Sequence, residues 1–293
     1  MIETGGRTLT EPRGFFPVTD GVYVVNTPTS QLGAKRVNGN AALVGHNANE
    51  GPLFIPRNIV TQADLVAWLH VEFPNLSNAQ INQILAANPN SANTNPAGPR
   101  YETNGLTGAT AVEVSQDSNG QQQRGNNIFA EATFVCPAYW LSSAFTAKDT
   151  WHYQYSVPFA LHGSDISAYF GPATPNQSDD FVLAFRRIWG NFIIGGNPRI
   201  SNPLANGASS PNPNAPNGAS TWPEWTDSSP KMLNLNETGG TPYTAITLYG
   251  LPVTQYMQPG LRNALAVVPA DTWEGGRGSR CALYKSLGPS IPV

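Results

Sequence analysis

Two residues of the types that build a proton relay stand far apart in this chain of 293 residues. Glu50 closes the polar run His46-Asn47-Ala48-Asn49-Glu50-Gly51, and His162 lies in Leu161-His162-Gly163-Ser164-Asp165. An imidazole beside a serine hydroxyl takes its proton and makes it a nucleophile; a carboxylate on the other ring nitrogen fixes the tautomer and stabilises the imidazolium. The chemistry of such a pair is acyl transfer, and its third member is a serine. No Gly-x-Ser-x-Gly segment, the sharp turn that exposes such a serine, occurs in the chain. A capping carboxylate and a structural histidine are the plain reading of the same two residues, since 4 histidines and 19 acids always offer some such pair.

The other polar candidates are weaker. His46, four positions before Glu50, has no His or Cys at ligand spacing, so a hydrogen-bonded loop histidine is simpler than a metal ligand or second base. His70 in a helical stretch and His152 in a strand read as structural. Ser164 and Asp165 directly follow His162 and read equally as partners orienting its loop and as a plain turn. Tyr139, Trp140, Trp222 and Trp225 read as core before they read as pocket walls. Neither a metal site nor a cofactor is indicated.

The elements around the pair are of the kind that bring two such loops together. Ala41-Ala42-Leu43-Val44-Gly45 is apolar without alternation, as in a strand covered on both faces, and it breaks into the Glu50 loop. Trp151 to Ala160 alternates through Tyr153, Tyr155, Val157 and Phe159, the period of a strand, and delivers the chain to His162. Strand ends of this kind are where α/β folds place their chemistry. Thr61 caps a helix through Leu65, Trp68 and Leu69, and Ser77 a second through Ile81, Ile84 and Leu85. Asn126 to Phe145 has a helical pattern that contains or ends at Cys136, and Asp179 to Phe192 is an amphipathic helix stopped before Gly195-Gly196-Asn197-Pro198. Gly14 to Asn26 reads as a hairpin about Asp20-Gly21, with Phe15, Phe16 and Val18 in one arm and Val22 to Val25 in the other. Asn88 to Asn104 and Asn202 to Ser220, rich in Asn and Pro, read as loops, and the weakly patterned tail to Val293 wraps the body.

Composition narrows the partners. A formal charge of −3 with 12% charged residues gives no basic field for a phosphate backbone, so nucleic acid is excluded as a partner and an uncharged one favoured. The sequence holds no run of apolar residues long enough to span a membrane, and the opening stretch, with Arg7, Glu11 and Arg13, reads as an interior segment and not as a signal peptide. Asn-x-Ser/Thr sequons at Asn75, Asn176 and Asn236, with 2 cysteines far apart in sequence, fit an oxidising, secretory compartment.

Several segments then form one ordered pattern: Phe16-Pro17-Val18-Thr19-Asp20-Gly21, Leu43 to Gly51, Val135-Cys136-Pro137-Ala138, Val157 to Ile166 with Phe170-Gly171, Trp189-Gly190-Asn191-Phe192, Trp222-Pro223 and Cys281-Ala282-Leu283-Tyr284. In this pattern the chain resembles the C-terminal half of the type-B carboxylesterase and cholinesterase family. The resemblance implies an α/β class: an incomplete α/β-hydrolase fold, with the later sheet strands, flanking helices and long loops. It makes Glu50 the triad acid and His162 the general base, and pairs Cys136 with Cys281. Residues 1–293 would be the C-terminal part of the family's domain, the N-terminal part with the nucleophile elbow and oxyanion hole being absent. The implied activity is hydrolysis of a small uncharged ester through an acyl-serine, open to this chain only when an N-terminal half completes it. A non-catalytic truncated or scaffold protein of the same fold is the alternative. An incomplete sheet is also expected to leave an apolar edge or face exposed.

Overall fold

The computed structural model describes residues 19–90, 112, 114–146 and 148–291. Thr27 caps α1 (Pro28–Gly33), which starts on a proline, the residue with no N–H to leave unpaired in a first turn. The apolar run expected as a strand is β1 (Ala41–Asn47). The two expected helices, α2 (Gln62–Glu72) and α3 (Asn78–Ala87), each open on a capping box, Thr61 with Asp64 and Ser77 with Gln80. The helix expected over 126–145 is longer: α4 (Gly120–Ala130), a π-helical turn (Glu131–Val135) and α5 (Cys136–Ala144) follow without a break.

β2 (Asp149–Tyr155) is shorter than the alternation predicts. The strand ends at Tyr155 because Pro158 has no amide to give a ladder, and Ala160 takes a positive φ of 43°. Val157 and Phe159 are still buried, so the alternation records burial in a loop and not a continuing strand. α6 (Ile166–Phe170) and α7 (Asp179–Gly195) follow; Ser178 caps α7 and Gly196, in the left-handed conformation, ends it. The predicted Asn202 to Ser220 loop holds only α8 (Asn202–Asn206) and one 3₁₀ turn.

The tail departs furthest from expectation. It supplies β3 (Lys231–Leu235), β4 (Glu237–Ile246), β5 (Pro252–Asn263), β6 (Ala266–Pro269) and α9 (Trp273–Ser286), which opens through left-handed residues Glu274, Gly275 and Gly276. The hairpin over 14–26 is also corrected. Val22 and Tyr23 are exposed and the segment curls around Asp20, whose carboxylate accepts the amides of Val22, Tyr23 and Val24. Its other arm, and the Asn88 to Asn104 loop beyond residue 90, lie outside the described residues.

β1, β2 and β3 pair in parallel and β6 runs antiparallel to β3, in the order β1-β2-β3-β6; β4 and β5 form a separate ribbon. The alternation of β2 divides the core. Trp151, Tyr153 and Tyr155 pack with Phe181, Phe185 and Ile188 of α7, while His152 faces Tyr139 and Trp225 on the other side. There α2 to α5 and α9 form a second apolar cluster, through which the Cys136–Cys281 disulfide joins α5 to α9 with 5.0 Å between Cα atoms. The strands expected to deliver Glu50 and His162 are thus neighbours in one sheet.

Candidate active site

Parallel pairing aligns Ala41 with Asp149 through to Asn47 with Tyr155, so both strands end on the same edge. The contact continues past the strands: the Ala48 amide donates to the Tyr155 carbonyl at 2.9 Å and the Asn49 amide to the Ala160 carbonyl at 3.0 Å. Asn49 then bridges Leu161. This zipper sets the residue after Asn49 beside the residue after Leu161, and these are Glu50 and His162.

Glu50 Oε2 accepts the His162 Nδ1–H at 2.6 Å. The carboxylate is nearly buried and the imidazole is 42% exposed, so one end of the pair is dry and the other opens outward. Oε1 accepts the Asn47 amide at 2.6 Å and Asn47 Nδ2 at 3.3 Å. Phe54 and Phe134, with ring centroids 5.0 and 4.5 Å from the imidazole, fix its plane. Phe134 comes from the π-helical turn.

Asn47 also ties the two loops together. Its Nδ2 donates to Asp165 Oδ1 at 3.1 Å and its Oδ1 accepts the Asp165 amide at 3.2 Å. Asp165 Oδ2 in turn accepts the hydroxyls of Tyr153 and Tyr169, each at 3.2 Å. Burial and the Asp165 carboxylate push the Tyr153 phenol well above its ordinary range. Ser164 contributes through its backbone: its amide donates to Leu161, and its carbonyl accepts Ser167 and Gln177. Asn47, Phe54, Phe134 and Tyr153 are not singled out as site residues by the sequence, which places Asn47 only within the polar run after the first strand.

A second imidazole cluster lies inside the sheet. His46 is a buried residue of β1, not a loop residue. Its Nε2–H donates to Gln154 Oε1 at 3.1 Å, which leaves its Nδ1 to accept His152 Nε2–H at 3.0 Å. His152 Nδ1 then accepts the Ser142 hydroxyl at 2.8 Å. Burial, then the neighbouring charge of Arg277, holds the His152 imidazole down to about 3. His46 is pushed well below its ordinary range by burial, His152 and Arg277. Ser142 and His152 have the geometry of a nucleophile and base, but both are fully buried at 0% exposure and no substrate reaches them.

His70 is exposed on α2. Tyr139, Trp140, Trp222 and Trp225 are buried core residues, as the plain reading has it. Asn75 is exposed, but Asn176 and Asn236 are buried. Asn176 Nδ2 donates to the Pro158 carbonyl and Asn236 Oδ1 accepts the Glu237 amide. No group of three or more His, Cys, Asp or Glu suited to a metal ion occurs among the described residues. No described helix is long and apolar enough to cross a membrane.

Residues 5–247 match the model of the carboxylesterase family. Among solved structures, the chain is similar to the crystal structure of Aspergillus niger EstA, with a TM-score of 0.63 and 18% sequence identity over 99% of this chain and 48% of that one. At that identity the likeness is one of fold, an α/β-hydrolase architecture, and the chain spans about half the length of this solved relative. The sequence has no match among curated proteins.

Proposed function

The chain belongs to the carboxylesterase family, and on that premise we propose that Glu50 and His162 are the acid and general base of a serine-dependent ester hydrolase. Its serine lies outside these 293 residues, on another segment or another chain. The observation that carries this reading is the 2.6 Å bond from His162 Nδ1 to a buried Glu50 carboxylate. A proton held on Nδ1 by a carboxylate leaves Nε2 as the basic nitrogen. Nε2 takes the serine proton as its oxygen attacks the ester carbonyl, and returns it to the leaving alcohol. Water then repeats the sequence on the acyl-serine and releases the acid. The oxyanion-hole amides come with the serine, and without either the chain by itself is close to inert.

The substrate is an uncharged ester, in keeping with a chain that has few charged residues. A disulfide between α5 and α9 supports synthesis in an oxidising compartment. Asn75 is the sequon a glycan can reach.

Labelling by a fluorophosphonate tests the division of labour. The purified chain is expected to take no label. Folded together with a serine-bearing segment of this family it is expected to yield one adduct per complex, on the added serine. A stoichiometric adduct on the chain itself would contradict the proposal. A well-folded complex that never labels would favour the scaffold reading.

A further inference from the structure

A cavity of about 280 Å³ opens between α1, α5 and α9, at the opposite end of the strands from Glu50 and His162. Trp225, in its wall, marks that end: its amide donates to the carbonyl of Thr150, near the start of β2, at 2.8 Å. The size is close to the lower end for small-molecule sites, roughly 300–1,000 Å³. Sequence spacing builds the walls. Gly278, Cys281, Ala282 and Lys285 follow at three- and four-residue steps and so share one face of α9. α5 lends Tyr139, Trp140 and Ser143, and the Cys136–Cys281 disulfide ties these two helices together.

Four charged side chains line the cavity, and only two of them are matched. Lys35 Nζ pairs with Asp227 Oδ2 at 3.3 Å. The side chains of Asp271 and Lys285 have no hydrogen-bond or ion-pair partner among the described residues. Partial burial raises the Asp271 carboxyl above its ordinary range. Gly278 is what admits that carboxylate: a Cβ there would stand 2.6 Å from Asp271 Oδ1. Lys285 lies seven residues further along α9, a rise of about 10.5 Å, and its Cε approaches Gly33 of α1. An unmatched negative charge and an unmatched positive one are therefore held at different levels of one trough. Between them the wall is aromatic, and the buried Trp225 Nε1–H also has no partner.

We propose that this cavity binds an elongated zwitterion, an ω-amino carboxylate, with its ammonium on Asp271, its carboxylate on Lys285 and its methylene chain along the edges of Trp140 and Trp225. An α-amino acid carries both charges on one carbon and meets only one of the two anchors. An amine or a carboxylate alone leaves one anchor unmatched. This inference goes beyond the ester-hydrolase reading and does not rest on it.

Calorimetric titration of the full chain with ε-aminocaproate tests the assignment. Saturable binding at one site per chain is expected. Norleucine has the same atoms and charges as ε-aminocaproate but carries both charges on one carbon, and it is expected to bind about tenfold more weakly or less; hexylamine and hexanoate are expected to do the same. Asp271→Asn and Lys285→Met are each expected to weaken ε-aminocaproate by about tenfold, the loss of one charge-assisted contact. Both residues are exposed, so an unchanged unfolding midpoint is the control for each variant. No saturable heat, norleucine or a singly charged analogue binding as tightly as ε-aminocaproate, or variants that bind like the parent would each overturn the proposal. Fluorophosphonate labelling reads the other end of the sheet, so failure of either experiment leaves the other result untouched.

Discussion

Glu131 has no contact with solvent, yet it faces two guanidinium groups. Arg280 reaches it through two bonds of 2.7 Å and Arg277 through one of 3.1 Å. Burial pushes the Glu131 carboxyl up, but Arg280 and Arg277 outweigh it and hold the group below its ordinary range. Arg277 continues to Gln154 at 2.8 Å, and so to His46 and His152. Removing one member of such a network strands buried charge, so Glu131→Gln is expected to cost about 3–5 kcal/mol in urea unfolding; a loss under about 1 kcal/mol would contradict the assignment. The imidazoles make stability pH-dependent. Their folded values lie below the unfolded value, so their contribution is complete above pH 6.5 and is lost as pH falls below it, for His152 through about 3. Each histidine gives a slope of up to about 1.4 kcal/mol per pH unit. Glu237 opposes them: burial raises it to about 8, so its contribution is complete below pH 4.5 and is lost as pH rises through 8. Glu237→Gln is therefore expected to steepen the loss of stability between pH 6.5 and 5, and a midpoint that does not move over this range would contradict the histidine assignment. At this scale the meeting of Glu50 and His162 was legible because each follows a recognisable strand, while the roles proposed for them came from the family resemblance. Asn47 was not, because its meaning lies in Asp165, 118 positions away.

The junction of β1 and β2 is the element on which the proposed relay depends. Gly45 lies against the Tyr153 ring so closely that an added Cβ would meet it at 2.1 Å. Tyr153 cannot withdraw freely, because its hydroxyl bonds Asp165 and its ring packs against Phe185. Gly45→Ala is expected to destabilise by about 1–3 kcal/mol, read from the shift in denaturation midpoint, and a neutral effect would show that this seam is loose. By contrast Thr61→Ala removes only an exposed cap and is expected to cost about 1 kcal/mol. Capping boxes and apolar periodicity made α2, α3 and α7 legible. The ribbon was hidden because β4 and β5 are largely exposed and carry Gly239, Gly240 and Pro242 where alternation would be read. α9 was hidden by the glycines at its start.

Across the whole molecule, the disulfide closes a span of 145 positions. By chain entropy its reduction is expected to lower stability by up to about 5 kcal/mol, measurable as a difference between oxidised and reduced unfolding curves. β1 sits at the end of the sheet order, with no partner strand on its outer side among the described residues. An open parallel edge bordering the candidate site is a natural seat for a further strand. The absence of a Gly-x-Ser-x-Gly segment was legible in the sequence, and the proposed division of roles starts from it. How the two loops meet was not, since the zipper of Ala48 and Asn49 onto Tyr155 and Ala160 is made by backbone groups. Turnover of an activated ester by the chain folded with a serine-bearing segment tests the relay most directly, compared with the same complex carrying His162→Ala. The expected result is measurable hydrolysis that the substitution lowers by about 10⁴-fold or more. Equal turnover by both complexes would contradict the assignment of His162 as the base.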